Sequence, residues 1–165
     1  METSPFSVRI RTRAYEVDRQ GHLNQAVYLQ YAEHARWQFL QAAGLTPDVL
    51  GEAGIGPVLL KAGIRFQREL RAGDEVDVGC AISGGRGKLI ELTQPFLTPG
   101  GLPVARVEGT IGLLDLTTRR LLPDPRTTLR QLAKNPALLG PDTSTGPDTS
   151  TGTDTSTGTG TGPAA

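Results

Sequence analysis

The sequence predicts an α+β domain in which one long helix is wrapped by a five-stranded antiparallel sheet. Three observations carry this: an alternating segment near the N-terminus, an amphipathic stretch after Asn24 that meets no Pro or Gly until Gly44, and four further strand-like segments joined by hairpin-type turns.

The elements follow in order. Ser7 to Tyr15 alternates, with Val8, Ile10, Thr12 and Ala14 on one side and Arg9, Arg11, Arg13 and Tyr15 on the other. The basic side reads as the solvated face of an edge strand or as a phosphate-binding face. Asp18-Arg19-Gln20-Gly21 reads as a tight turn, because Gly21 takes a positive φ that side chains with a Cβ resist. Asn24 is a good N-cap, and Val27, Tyr31, Ala35, Phe39 and Ala42 then form one apolar helical stripe widened by Tyr28, Ala32 and Ala43. The small Ala32 and Ala35 let another backbone approach closely. Gly44 caps the helix end, and Thr46-Pro47 opens a short second helical piece through Leu50.

Ile55 to Leu70 reads as a long strand with bends at Gly56 and Gly63, followed by a turn at Arg71-Ala72-Gly73-Asp74. Glu75 to Ile82 alternates as one strand, and Lys88 to Leu97 is its hairpin partner. Gly84-Gly85-Arg86-Gly87 lacks the Lys-Ser/Thr ending and following helix of a phosphate loop, so it reads as the hairpin connection. Leu102 to Thr117 is the last strand, and Pro123 to Ala133 a short terminal helix. Residues 1–139 thus make one domain. From Gly140 the chain repeats GPDTST, GPDTST and GTDTST, a tract without large apolar side chains that reads as a disordered tail.

Composition narrows the function. A formal net charge of zero offers no electrostatic reason for nucleic acid or an anionic membrane as partner. One cysteine forms no intrachain disulfide framework, and with two histidines it lacks metal-site spacing, so no metal and no resident cofactor are expected. With no apolar run after basic residues at the N-terminus and no span-length apolar stretch, the expected location is the cytoplasm.

The chemistry concentrates between Asp18 and the helix start. The turn brings a carboxylate (Asp18), an imidazole (His22) and an amide (Asn24) up to the first helical N–H groups near Gln25 and Ala26. Those groups carry partial positive charge and can hold an oxygen that becomes anionic. Without further context Asp18 is a turn-former and Asn24 a cap.

The motif Asp18-x-x-Gly21-His22-Leu23-Asn24-x-x-x-Tyr28, leading into Tyr31-x-Glu33-x-x-Arg36, resembles the hot-dog-fold acyl thioesterases, in particular the branch similar to 4-hydroxybenzoyl-CoA thioesterase. Ile64-Arg65-Phe66 and Ala72-Gly73-Asp74-Glu75-Val76 extend the resemblance, which covers about Val8 to Pro123. It implies a hot-dog fold and hydrolysis of an acyl or aryl thioester of coenzyme A or an acyl carrier protein, with coenzyme A or phosphopantetheine entering as part of the substrate. It also implies a homodimer or homotetramer with sites between protomers. The family's catalytic carboxylate falls on Asp18 and its carbonyl-polarising amide near Gln25. Plant acyl-carrier-protein thioesterases carry a similar Asp, amide, His spacing, matched here by Asp18, Gln20 and His22, with Gln20 where those enzymes have Asn. Tyr28, Arg36 and Phe66 fall where the resemblance implies an acyl pocket.

A carboxylate so placed can attack the thioester or act as base on water. His22 can orient water, stabilise the departing thiolate or fix Asp18. Arg65, Arg68 and Arg71 are solvated or meet the phosphates of coenzyme A or an acidic carrier. A hot-dog domain that binds an acyl thioester without turnover is the alternative, since fold alone does not set function. The dehydratase branch of the fold expects its Asp and His in a different motif.

Overall fold

A computed structural model describes residues 6–141. The elements are β1 (Ser7–Arg11), α1 (Gln25–Ala42), α2 (Pro47–Glu52), β2 (Ile55–Phe66), β3 (Glu75–Gly79), β4 (Ala81–Gly84), β5 (Ile90–Leu97), β6 (Pro103–Asp115) and α3 (Pro125–Leu132), with 3-10 turns at Ala14–Glu16 and Pro136–Leu139. The expected disordered tail lies outside the described residues beyond Pro141.

The sheet is antiparallel in the order β1-β3-β5-β6-β2, with β4 also paired to β5. It therefore has six strands where the sequence predicts five. The expected single strand from Glu75 to Ile82 is broken at Cys80, although both parts keep one register against β5 (Asp77↔Leu97 and Val78↔Phe96, then Ala81↔Thr93). In that register Pro95, which has no N–H to give a neighbouring strand, faces Gly79 just before the break, and the Cys80 N–H points the other way, to the Phe6 carbonyl at 3.2 Å. β1 likewise ends early. Past Arg11 the chain turns through Ala14–Glu16, so Arg13 and Tyr15 leave the strand.

Helix α1 lies on the sheet through a stripe close to the expected one. Val27, Tyr28, Tyr31, Ala32, Ala35 and Phe39 are buried, with Leu40 in place of Ala42, which is exposed. Its N-terminal half packs on Val76, Val78, Phe96 and Val107, and its C-terminal half joins a second cluster around Ile90, Leu92, Leu113 and Leu129. Ala32 and Ala35 are fully buried, and this close approach brings the Gln94 amide of β5 to the Ala32 carbonyl, with Nε2 donating at 2.7 Å. β5 thus faces Ile90, Leu92, Gln94 and Phe96 inward, one polar group in an apolar row.

Strand β2 is an edge, paired only with β6 and bulged between Leu59 and Lys61. Leu59, Leu60 and Phe66 along it are exposed. Among the described residues no helix is long and apolar enough to cross a membrane.

Candidate active site

The site is built where the chain leaves β1 and enters α1. An antiparallel bridge between Val17 and Leu23 closes the turn, with the Asp18 N–H on the His22 carbonyl at 2.8 Å and the Gly21 N–H on the Asp18 carbonyl at 3.0 Å. Gly21 holds φ +80, the left-handed conformation predicted for it. Asp18 Oδ1 accepts the backbone N–H groups of Gln20 (2.8 Å) and His22 (3.2 Å). One carboxylate oxygen thereby ties the turn, and Oδ2 makes none of these bonds.

The helix start follows from Asn24. Its Oδ1 caps the Ala26 N–H at 3.0 Å, and its carbonyl accepts the Val27 N–H at 2.9 Å. The Gln25 N–H is left as the orphan donor at the positive end of α1. A second backbone seam anchors the turn from below: Leu23 N–H donates to the Leu70 carbonyl at 2.7 Å, His22 bridges Arg71, and Asn24 N–H donates to the Glu16 carbonyl at 3.0 Å.

These elements surround an open cavity of about 610 Å³ lined by Asp18, His22, Leu23, Asn24, Gln25, Tyr28, Phe66, Gln67, Arg68 and Glu69. Six of the seven residues expected at the site, Asp18, His22, Asn24, Gln25, Tyr28 and Phe66, therefore meet there. Tyr28 packs edge-on to Phe66 (ring centroids 5.1 Å apart) and against Phe96, and burial pushes its hydroxyl pKa up.

Arg36 does not join them. It sits two turns farther along α1, in a separate apolar cavity of about 100 Å³ with Trp37, Leu40, Val58, Leu59 and Leu92. Burial lowers its pKa, and its Nη1 donates to Gln94 Oε1 at 3.1 Å. The nearby Cys80 is buried as well, which pushes its thiol up to about 12.

The family model described as Thioesterase-like superfamily matches residues 12–132. The chain belongs to the thioesterase-like superfamily. Its curated relatives include the chloroplastic acyl-acyl carrier protein thioesterase ATL3 of Arabidopsis thaliana, 31% identical over 109 residues, covering 66% of this chain and 57% of the relative. Another is the long-chain acyl-CoA thioesterase FadM of Escherichia coli, 28% identical over 118 residues, 71% of this chain and 89% of the relative. The chain thus spans little more than half the length of the plant relative. Among solved structures, SAV2348 of Staphylococcus aureus, determined in complex with CoA, superposes with a TM-score of 0.71 at 20% identity, covering 87% of this chain and 89% of that one. The superfamily's hot-dog fold is accordingly the fold of this chain.

Glu69 was not expected at the site. Its Oε2 lies 2.9 Å from His22 Nε2, and its Oε1 accepts Arg71 Nε (3.0 Å) and Nη2 (2.8 Å). The bonds from Arg71 hold its carboxyl below the usual range, with the charge of His22 adding to the effect. Nothing local flags this residue, which sits in a charged run after β2 and reaches His22 only through the pairing of the two loops. Gln94 was also missed, and there a signal existed: a polar residue at an inward position of an alternating strand.

Proposed function

We propose that this protein hydrolyses an acyl or aryl thioester of coenzyme A or of an acyl carrier protein. The observation that carries the reading is the shared cavity of Asp18 and the Gln25 amide, with Asp18 Oδ1 committed to the turn and Oδ2 left for chemistry. The thioester carbonyl oxygen is held by the Gln25 N–H at the start of α1, where developing negative charge is favoured. Asp18 then acts on the carbonyl carbon as nucleophile, or on a water as general base. Tyr28 and Phe66 supply an apolar, edge-to-face wall for the acyl group beside the carbonyl. Arg68, exposed on the rim, suits a phosphate of the carrier group. Arg36 serves an acyl chain only where the chain is long enough to reach the second cavity.

The active form in this reading is a homo-oligomer. The long β2 edge with exposed Leu59, Leu60 and Phe66 is the kind of surface that chains cover by pairing, and Phe66 lies both on that edge and in the cavity. A second copy there closes the open side of the site.

The test is thiol release from a panel of acyl- and aryl-CoA and acyl-carrier-protein thioesters by wild type and Asp18→Ala. Activity that falls by about a hundredfold or more in the folded variant supports the reading. Binding of the thioesters without thiol release by wild type replaces it with an acyl-thioester-binding domain.

A further inference from the structure

We infer that Glu69 is a positioning residue that holds His22 as the acid for the departing thiol, so that the site separates its base, Asp18, from its acid. The inference rests on the hydrolase reading above and assigns the half of the reaction which that reading leaves open.

The geometry divides the work of His22 between backbone and side chain. Its main-chain N–H donates to Asp18 Oδ1, so the imidazole has no part in holding Asp18. The imidazole instead turns Nε2 to Glu69 Oε2 at 2.9 Å. Glu69 is in turn fixed by the forked guanidinium of Arg71 on its other oxygen. Main-chain pairing of His22 with Arg71 and of Leu23 with Leu70 sets this alignment, so it does not depend on two free side chains finding each other. With Nε2 engaged, Nδ1 is the nitrogen left for a ligand in the cavity that His22 and Asp18 both line.

Three segments face the imidazole: its own turn, the loop after β2 and helix α1. Glu69 is in direct contact, and Asp18 stands on the same turn. Arg71 touches Glu69 on the far oxygen, Arg68 lies on the rim, and the Tyr28 hydroxyl of α1 stays neutral. An anchored carboxylate at hydrogen-bond distance fixes the tautomer and orientation of an imidazole.

In the general-base route, the water oxygen bonds to the carbonyl carbon while Asp18 takes its proton. The tetrahedral intermediate then collapses, the C–S bond breaks with its electron pair on sulfur, and the sulfur receives the Nδ1 proton of His22. The products are the acid and the thiol, and solvent returns a proton to His22 as Asp18 loses one. If Asp18 attacks as nucleophile, the same proton reaches the sulfur when the mixed anhydride forms.

The experiment compares two esters of one acyl group, the coenzyme A ester and the thiophenyl ester, for wild type, Glu69→Gln and His22→Gln. Thiophenolate is a much weaker base than an alkyl thiolate and leaves without an acid. The expected result is a drop in kcat/KM of about tenfold or more on the coenzyme A ester and less than about threefold on the thiophenyl ester. His22→Gln keeps the main-chain bond to Asp18 and must show the same leaving-group selectivity, which covers the case of an unfolded Glu69→Gln. Equal losses on both esters, or no loss, overturn the inference while leaving the hydrolase reading intact. A wild type that cleaves neither this pair nor the wider panel overturns both.

Discussion

Replacing Gln94 by Leu tests how α1 is fastened to the sheet. Gln94 is fully buried, its Nε2 donates to the Ala32 carbonyl and its Oε1 accepts from Arg36 Nη1. The amide orientation follows from the partners, because a carbonyl only accepts and a guanidinium only donates. Leu fills about the same volume, so no large cavity opens. What is lost is one bond to a cation, about 1.5–3 kcal/mol, and one neutral bond of about 1 kcal/mol, offset by about 1 kcal/mol of added apolar burial. These sum to about 1.5–3 kcal/mol, and because Arg36 is only half-buried and water reaches it in part, the expected cost is about 1.5–2.5 kcal/mol, or about 3–10 °C in Tm for a domain near 150 residues. In Arg36→Met/Gln94→Leu both partners are apolar and the double variant recovers to within about 1 kcal/mol of wild type. Urea denaturation of the four proteins of this cycle gives the coupling directly. A Gln94→Leu cost below about 0.5 kcal/mol, or a double variant equal to the sum of the singles, would show that this buried pair does not fasten the helix.

Three further outcomes are expected. Asp18→Asn keeps an Oδ1 acceptor for Gln20 and His22, so it unfolds within about 0.5 kcal/mol of wild type yet loses about a hundredfold or more in thiol release, whereas Asp18→Ala loses both; a fully active Asn variant would reduce Asp18 to a turn-former. Glu16, with a side chain 9% exposed, accepts from the Tyr31 hydroxyl at 2.5 Å and from Arg13; burial opposes its charge, but these bonds outweigh it and hold its pKa low. A depressed carboxylate pKa stabilises above the unfolded value of about 4.3 and loses that contribution as pH falls through the folded value, so the stability gap between wild type and Glu16→Gln should be full at pH 6 and close toward pH 3 in denaturation curves; an unchanged gap would contradict the assignment. Finally, Gly21 and Gly44 both hold positive φ, but a Cβ at Gly21 meets open space while one at Gly44 comes within 2.7 Å of Lys134 Cβ. Gly44→Ala should therefore cost more than the roughly 1 kcal/mol strain cost of Gly21→Ala, and thermal melts showing the reverse order would refute that packing.

The sequence by itself determined the local parts of this protein. The positive φ of Gly21, the Asn24 cap, the buried face of α1 through Phe39 and the hairpin at Gly84 to Gly87 all follow from interactions within a few residues, and such interactions are written in spacing and residue type. Asp18, His22, Asn24, Gln25 and Tyr28 share a cavity for the same reason, being one turn and the helix it starts. Tertiary structure decided everything that depends on which segment lies opposite which. Pro95 faces Gly79, next to the break at Cys80, only because β3 and β4 share a register with β5, and a strand that alternates without interruption is split there. Glu69 reaches His22 because the loop after β2 pairs with the turn from Asp18 to His22, and Arg36 leaves the candidate site because α1 carries it toward β5 and Gln94. Period and propensity describe one chain segment at a time. The partner across a sheet or a loop seam is chosen by the packing of the whole core.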